Sequence, residues 1–122
     1  MNKFIILMLL SMPVFAIDVQ WAKGYLGNCD NPTERVDGTP LLASEIDHVV
    51  YQIKSGDQVV YEALMAGGCK ETFIDTKLYV PPGDYLLYGY TVDTDGRESV
   101  LSEPGVVLTV QKARPKAPSG FR

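Results

Sequence analysis

The chain of 122 residues offers few side chains whose type and spacing could perform chemistry. Its one histidine, His48, begins a predicted strand and has no HExxH pattern beside it that would make it a metal ligand or a general base. The sequence also contains no Gly-x-Ser-x-Gly motif and no phosphate-binding glycine loop. We therefore expect no catalytic residue, no cofactor and no bound metal, and we place His48 at a strand end on the surface.

Three carboxylates, Asp93, Asp95 and Glu98, are spaced as at the start of a calcium-binding loop. The remaining ligand positions of an EF-hand are missing, and Asp95-Gly96 is a typical turn dipeptide. The segment is predicted to be a hairpin turn, with a weak calcium site as the alternative.

The start of the chain indicates which compartment the two cysteines, Cys29 and Cys69, are exposed to. Residues 1–16 have the parts of an export signal: a basic start, a short apolar run and a small residue, Ala16, at the predicted cleavage site. The apolar run is too short to span a membrane, so no stable membrane insertion is expected after cleavage. Export favours a disulfide over a zinc site or two unpaired buried thiols. The mature chain is predicted to be periplasmic or extracellular, including on a cell or virion surface.

Charge limits the partners of the chain. It has fifteen acidic and eleven basic residues, which argues against nucleic acid. The charge is uneven: residues 17–110 carry a net charge of −9, whereas residues 111–122 contain four basic residues and no acidic one.

The length of the chain suits one domain with one modest hydrophobic core. We expect a signal peptide at 1–16, one domain at 17–110 and a basic, proline-containing tail at 111–122.

Short runs of alternating or continuous apolar residues, separated by turn signals, fill the predicted domain. The predicted strands cover residues 17–22, 49–54, 59–64, 72–78, 85–93 and 106–110. No helix is expected, and residues 24–46 read as a long loop. The pattern predicts an all-β sandwich or barrel.

Several motifs stand in the order found in one known family. They are Val19-Gln20-Trp21, Asp37-Gly38-Thr39-Pro40-Leu41, Pro82-Gly83-Asp84-Tyr85, the turn from Asp93 to Ser99, and Leu101-Ser102. In this order the chain resembles a fibronectin type III domain of the kind common in exported bacterial and phage proteins, over most of residues 17–110. The resemblance implies an immunoglobulin-like Greek-key β-sandwich of seven strands, with Trp21 in the core and the Tyr85 hydroxyl bonded to the backbone near its corner. Members of the family mostly bind, space or adhere.

The chain differs from the family pattern in two respects. Only residues 17–20 of the mature chain precede Trp21, so the first strand of the family is expected to be missing or atypical and the edge that it covers to be open. Residues 115–122 look like the opening of a further repeat that the chain does not build. One hypothesis is that this tail adds to the open edge of another copy, or of a partner with the same fold.

Both faces of the predicted strand from Tyr85 to Val92 are apolar. The family pattern turns Tyr85, Leu87 and Thr91 inward, with Gly89 leaving room for the Trp21 ring. The residues left on the other face form an outer row: Leu86, Tyr88, Tyr90 and Val92. Such a row is a candidate interface. The alternative is that the long loop at 24–46 folds over it within the monomer.

The absence of chemical motifs and the family resemblance together favour an exported, non-catalytic binding or adhesion module that acts through protein–protein contacts. Its partner is another protein or a second copy. The first alternative is a structural subunit of a cell-surface or virion assembly, engaged through the outer row or the tail. The second is a small periplasmic enzyme or inhibitor with a site in the long loop, whose sign would be a pocket lined by Asp30, Glu34, Arg35 and Asp37.

Overall fold

The computed structural model describes residues 16–102 and 105–122. The predicted signal peptide lies outside the described residues except for Ala16, which begins the first strand. The strands are β1 (Ala16–Gln20), β2 (Tyr25–Gly27), β3 (Ile46–Ser55), β4 (Gln58–Ala66), β5 (Thr72–Ile74), β6 (Gly83–Asp93) and β7 (Val106–Gln111). A 3₁₀ turn at Ala43–Glu45 and the helix α1 (Thr76–Tyr79) complete the elements. These helical segments fall far short of the roughly 20 residues that cross a bilayer.

The strands form a mixed five-stranded sheet and a second, two-stranded sheet. The order in the large sheet is β1-β7-β6-β3-β4, and only the β1–β7 pair is parallel. The small sheet pairs β2 with β5 antiparallel. The expectation of a missing first strand was wrong: Ala16 lies opposite Val107 and Gln20 opposite Gln111, so β1 covers the edge of β7.

Both sheets contribute to one hydrophobic core, an arrangement compatible with a β-sandwich. Side chains alternate between the two faces of each strand, so β3 turns Val49, Tyr51 and Ile53 inward. The large sheet contributes the fully buried Met65 and Leu108, and β5 of the small sheet contributes Ile74. Val80, which follows α1, is also fully buried. The predicted all-β class is confirmed at this level.

Trp21 differs from its expected place. It lies in the turn after β1, where its N–H donates to the Gln111 carbonyl at 2.8 Å and its half-buried ring packs at the edge of the core. Gly89 does not receive the ring: a Cβ at Gly89 would meet only the Val50 carbonyl, at 3.2 Å. The two residues are separated because Gln111 ends β7 far from the Gly89 position on β6. The Tyr85 hydroxyl does donate to the Pro81 carbonyl at 2.6 Å, as the resemblance implied.

Two local expectations were also wrong. The predicted strand at 72–78 ends after Ile74, because the Asp75 carboxylate accepts the Leu78 N–H at 3.2 Å and starts the one-turn helix α1. Thr76 in this helix is buried and donates its hydroxyl to the Trp21 carbonyl at 2.8 Å. The predicted long loop contains the three residues of β2, which are too few to give an alternating pattern.

The Cys29–Cys69 disulfide is present and closes a segment with a sequence separation of 40. It attaches the chain after β2 to the chain after β4, and the Asn31 side chain reinforces the link by accepting the Cys69 N–H at 2.7 Å. The long loop is thereby held against the inner side of the large sheet.

Candidate binding groove

The inner face of β6 opens into a groove toward the end of the strand. Its floor is formed by Gly89 and Thr91 of β6 together with Tyr51 and Val49, which lie opposite them on β3. Gly89 contributes no side chain, so the floor is low at this point, as is typical of a strand glycine that leaves room for a close approach. The sequence expectation of space above Gly89 therefore holds, but the Trp21 ring does not fill it.

Tyr51 is a rigid part of this floor. Its hydroxyl shares a 2.9 Å hydrogen bond with the Tyr25 hydroxyl of the small sheet, and its ring lies under Gly27, where a Cβ would come within 2.9 Å. Burial raises the pKa of the Tyr51 hydroxyl, and the bond to Tyr25 adds to this effect. The hydroxyl therefore stays protonated and joins the two sheets below the groove.

The two walls of the groove are held by different bonds. The disulfide fixes residues 28–32 on one side. Residues 99–102 form the other wall and are tied to β6, since the Ser99 N–H donates to the Thr91 carbonyl at 2.9 Å and the Ser102 N–H to the Gly89 carbonyl at 2.8 Å. The two serine hydroxyls in turn accept the Gly89 and Thr91 N–H groups, at 3.0 and 2.9 Å. Serine side chains thus complete the β6 edge beyond β7.

The groove has two connected sections. The first has a volume of about 380 Å³ and an apolar lining that includes Leu87 and Val106. The second, of about 370 Å³, continues past Thr91 to Asp93 and shares Pro32 and Ser99 with the first. From Leu87 to Asp93 the strand rises roughly 20 Å at 3.3 Å per residue. This length accommodates about six residues of an extended peptide.

An ionic cluster closes the far end of the second section. Asp93 is nearly buried, and its carboxylate accepts a 2.9 Å bond from Arg35 and the backbone N–H of Arg97 at 2.8 Å. Arg35 also lies 3.4 Å from Glu45. The hydrogen bond from Arg35, followed by that from the Arg97 backbone, lowers the pKa of the Asp93 carboxyl. This cluster ties the long loop to the end of β6.

We expect Asp93→Asn to lower the melting temperature at neutral pH and to remove part of the loss of stability in acid. Because the pKa of Asp93 is lowered in the folded chain, its ionised form stabilises the fold at pH values above the ordinary 3.8, and that contribution is lost as the pH falls through the folded value. Thermal unfolding followed by circular dichroism across acid and neutral pH measures both effects. Asp57→Asn, in the exposed turn between β3 and β4, is the control. An acid profile of Asp93→Asn identical to that of the unaltered chain would contradict this role.

Unpaired negative charge lines the groove. Asp30 faces the first section, and Glu34 and Glu98 face the second. Within residues 16–102 and 105–122, these three carboxylates form no ion pair and accept no side-chain hydrogen bond. Asp37, which also lines the second section, has no ion pair either, but its carboxylate accepts hydrogen bonds from Thr39. The arginines at the groove, Arg35 and Arg97, are already paired with carboxylates. The groove therefore presents an apolar floor with three carboxylates left for a cationic ligand.

Comparison of the chain with protein families, with curated proteins and with solved structures finds no match. The function is inferred from the groove itself.

The residues named for an enzyme or inhibitor, Asp30, Glu34, Arg35 and Asp37, do line the two sections of the groove. Two of them are engaged in structural bonds. Hydrogen bonds from Thr39 lower the pKa of Asp37, and its carboxylate has no proton to donate near neutral pH. Arg35 is engaged by Asp93 and Glu45. No set of three or more metal-ligating side chains occurs in the part of the chain that the structure describes.

The segment from Asp93 to Glu98 forms the expected turn. Asp93 accepts the N–H groups of Asp95 and Arg97, at 3.0 and 2.8 Å, which is the arrangement of an Asx turn. Arg97 also pairs with Asp95 at 2.8 Å. His48, half-buried in β3, lies 2.7 Å from the adjacent carboxylate of Asp47. These side chains bind one another within the turn and at the start of β3.

The outer row predicted as an interface lies on the opposite face of the large sheet. Leu86, Tyr88 and Tyr90 are partly exposed, whereas Val92 is 7% exposed. Leu64, opposite Val50 on β4, is 61% exposed and extends the row. The long loop bonds through Arg35 to Asp93, which lies on the inner face of β6. The row stays a predicted interface.

Sequence reasoning named four residues of the groove in the long loop but missed its floor and its wall at residues 99–102. Its wall at residues 99–102 is bound to β6 partly through serine hydroxyls, and hydroxyl bonding leaves no alternating pattern to detect. The usable signal was Gly89, a glycine inside an otherwise apolar strand, which marks a close approach or a space.

Proposed function

We propose that the chain is an exported, non-catalytic binding module of the fibronectin type III kind, whose groove takes an extended, basic, proline-containing segment of a polypeptide. The observation that carries this proposal is the combination of an apolar floor over Gly89 with three unpaired carboxylates at Asp30, Glu34 and Glu98. We propose no catalytic role, because Arg35, Asp37 and Asp93 at the groove are held by structural hydrogen bonds.

The shape of the groove supports an extended ligand. It is long and shallow, with fixed walls, whereas a small-molecule site is usually a deeper, more enclosed cavity. Its floor includes the Tyr51 ring, and proline-rich segments in the polyproline II conformation dock in aromatic-lined grooves. Such a segment is already extended, so little conformational entropy is lost on binding.

The fold and compartment parts of the proposal rest on separate features. The Tyr85 hydroxyl bond to Pro81 is similar to the bond of a tyrosine corner in immunoglobulin-like sandwiches, and it supports the family resemblance. The Cys29–Cys69 disulfide supports an oxidising compartment. Together with the apolar start of the chain, these features favour a periplasmic or extracellular binding protein.

Binding of a defined probe tests the proposed function. We expect the chain from Ile17 to Arg122 to bind a fluorescein-labelled peptide of repeated Pro-Lys-Val units, and to bind the Pro-Glu-Val counterpart at least tenfold more weakly, because only the basic peptide complements the groove. Fluorescence anisotropy measures both affinities, and added salt should weaken binding of the basic peptide. Equal affinity for the two peptides would contradict the proposal.

Charge reversal locates the binding site. Glu34→Lys with Glu98→Lys should weaken binding of the basic peptide about tenfold, since each reversal replaces attraction by repulsion at the groove. Asp57→Lys with Glu71→Lys is the matched control: it makes the same change in net charge at exposed positions away from the groove. If Tyr90→Ser removes binding while the groove variant keeps it, the outer row is the binding surface and the groove is not.

A further inference from the structure

We infer that the segment bound by the groove is the part of the basic tail that follows β7, residues 112–122, of a second copy of the chain. This inference rests on the proposed function of the groove and names its occupant. It joins two features that the fold leaves without partners: an apolar channel with unpaired carboxylates at one end of the domain, and a cationic segment at the other.

The tail is free to bind elsewhere. β7 ends at Gln111, and Lys112 then places its ammonium 5.5 Å from the centroid of the Trp21 ring. Residues 113–122 are all exposed, and the hydrogen bond they form is local, from Arg122 to the Gly120 carbonyl at 3.3 Å. Within the described part of the chain, Arg114 has no ion pair, and neither do Lys116 and Arg122.

The chemistry of the tail complements the groove. The run Pro115-Lys116-Ala117-Pro118 has two prolines spaced by two residues, a pattern that favours the polyproline II conformation. Phe121 follows it and is 84% exposed, so it offers an aromatic anchor for the apolar section. The tail carries three cations without an ion pair, and these are opposite in charge to the three unpaired carboxylates of the groove.

Strand direction favours a second copy over the same chain. β7 runs from Val106, which lines the groove, to Gln111 at the opposite end of the sheet, so the tail leaves the domain pointing away from its own groove. To reach the groove of its own chain, the tail would have to run back along β7 over roughly 17 Å. That distance takes about five residues in addition to the turn. Arg114 and Lys116 would then lie outside the groove of their own chain. The tail of a neighbouring copy does not have to span this distance, so all of its cations are able to enter the groove.

A tail bound in the groove of the next copy is a head-to-tail contact. Contacts of this kind leave one groove and one tail unused at the ends of each assembly, so they repeat and form open chains of copies unless the rotation closes a ring. The proposed binding module would then be a subunit of its own linear assembly.

Sedimentation velocity of the chain from Ile17 to Arg122, over a wide range of concentrations, tests the inference. We expect the average mass to rise with concentration, and a chain truncated after Lys112 to stay monomeric. The truncation removes exposed residues whose described hydrogen bond is internal, so the domain keeps its contacts. A full chain that stays monomeric throughout, or a truncated chain that associates equally well, would overturn the inference.

Charge exchange tests the pairing directly. Arg114→Glu with Lys116→Glu should weaken association about tenfold, and adding Glu34→Lys with Glu98→Lys to the same chain should restore it. Adding Asp57→Lys with Glu71→Lys instead should restore nothing. Restoration by this control as well would show that net charge alone drives association, and would overturn the assignment to the groove.

Mixing two variants tests the direction of the contact. The truncated chain keeps its groove, and the chain with Glu34→Lys and Glu98→Lys keeps its tail, so a mixture should form one-to-one pairs although neither protein associates alone.

A failure of this inference is distinguishable from a failure of the proposed function. If the truncated chain binds the Pro-Lys-Val peptide but not a peptide of residues 112–122, the tail is not the ligand and the groove still is the site. If it binds neither, both proposals fail.

Discussion

Replacing Cys29 and Cys69 together with serine is expected to lower the free energy of unfolding by about 4 kcal/mol. The disulfide closes a segment with a sequence separation of 40, and removing the cross-link raises the conformational entropy of the unfolded chain. This is a large part of the 5–15 kcal/mol typical of single domains. Urea denaturation of the chain from Ile17 to Arg122 measures the change.

Reduction provides the control for this prediction. A reducing agent should destabilise the unaltered chain to the level of the double serine variant and should leave the variant unchanged. The same variant should bind the basic peptide more weakly, because the groove wall at residues 28–32 loses its attachment to Cys69. A loss of stability below about 1 kcal/mol would mean that the loop is held by its other contacts instead, such as the bond from Asn31.

Gly24→Ala is expected to cost about 3 kcal/mol, for two separate reasons. Gly24 has φ +75°, a conformation that costs other residues roughly 1–2 kcal/mol. A Cβ there would also lie 2.5 Å from the Phe73 ring and 2.8 Å from the Ile74 carbonyl oxygen. The ring is able to move, but the carbonyl belongs to the β5 backbone, so overpacking adds roughly 1–3 kcal/mol. Urea denaturation measures the loss.

Gly38→Ala separates the two contributions. Gly38 has φ +86°, similar to that of Gly24, but nothing lies within 4 Å of the position its Cβ would occupy. This variant should therefore lose only the conformational part, about 1–2 kcal/mol. Equal losses for the two variants would contradict the close packing of Gly24 against β5.

Much of the fold was predictable because its long strands carry strong local signals. The alternation of Val49, Tyr51 and Ile53 predicts β3 and its buried face, and the turn at residues 55–57 predicts its hairpin with β4. The export pattern predicted the Cys29–Cys69 bond by giving the pair an oxidising compartment.

The remaining features depend on contacts that a local pattern does not contain. The parallel alignment of β1 with β7 is decided by residues at opposite ends of the domain, so the short segment before Trp21 was interpreted as a missing strand. The change from strand to helix after Ile74 depends on one capping carboxylate at Asp75. The groove arises from the combined placement of the disulfide, Gly89 and two serine hydroxyls, each unremarkable in the sequence.

The pairing of β1 with β7 also determines when the domain is able to finish folding. Ala16 lies opposite Val107, so the first and last strands are brought together across nearly the whole domain. Contacts at such sequence separation form slowly, because the entropy of closing a long loop is lost before they form. The large sheet is complete only after the last strand has emerged. Until then the chain remains without its final fold, and β7 keeps an open edge where β1 will pair.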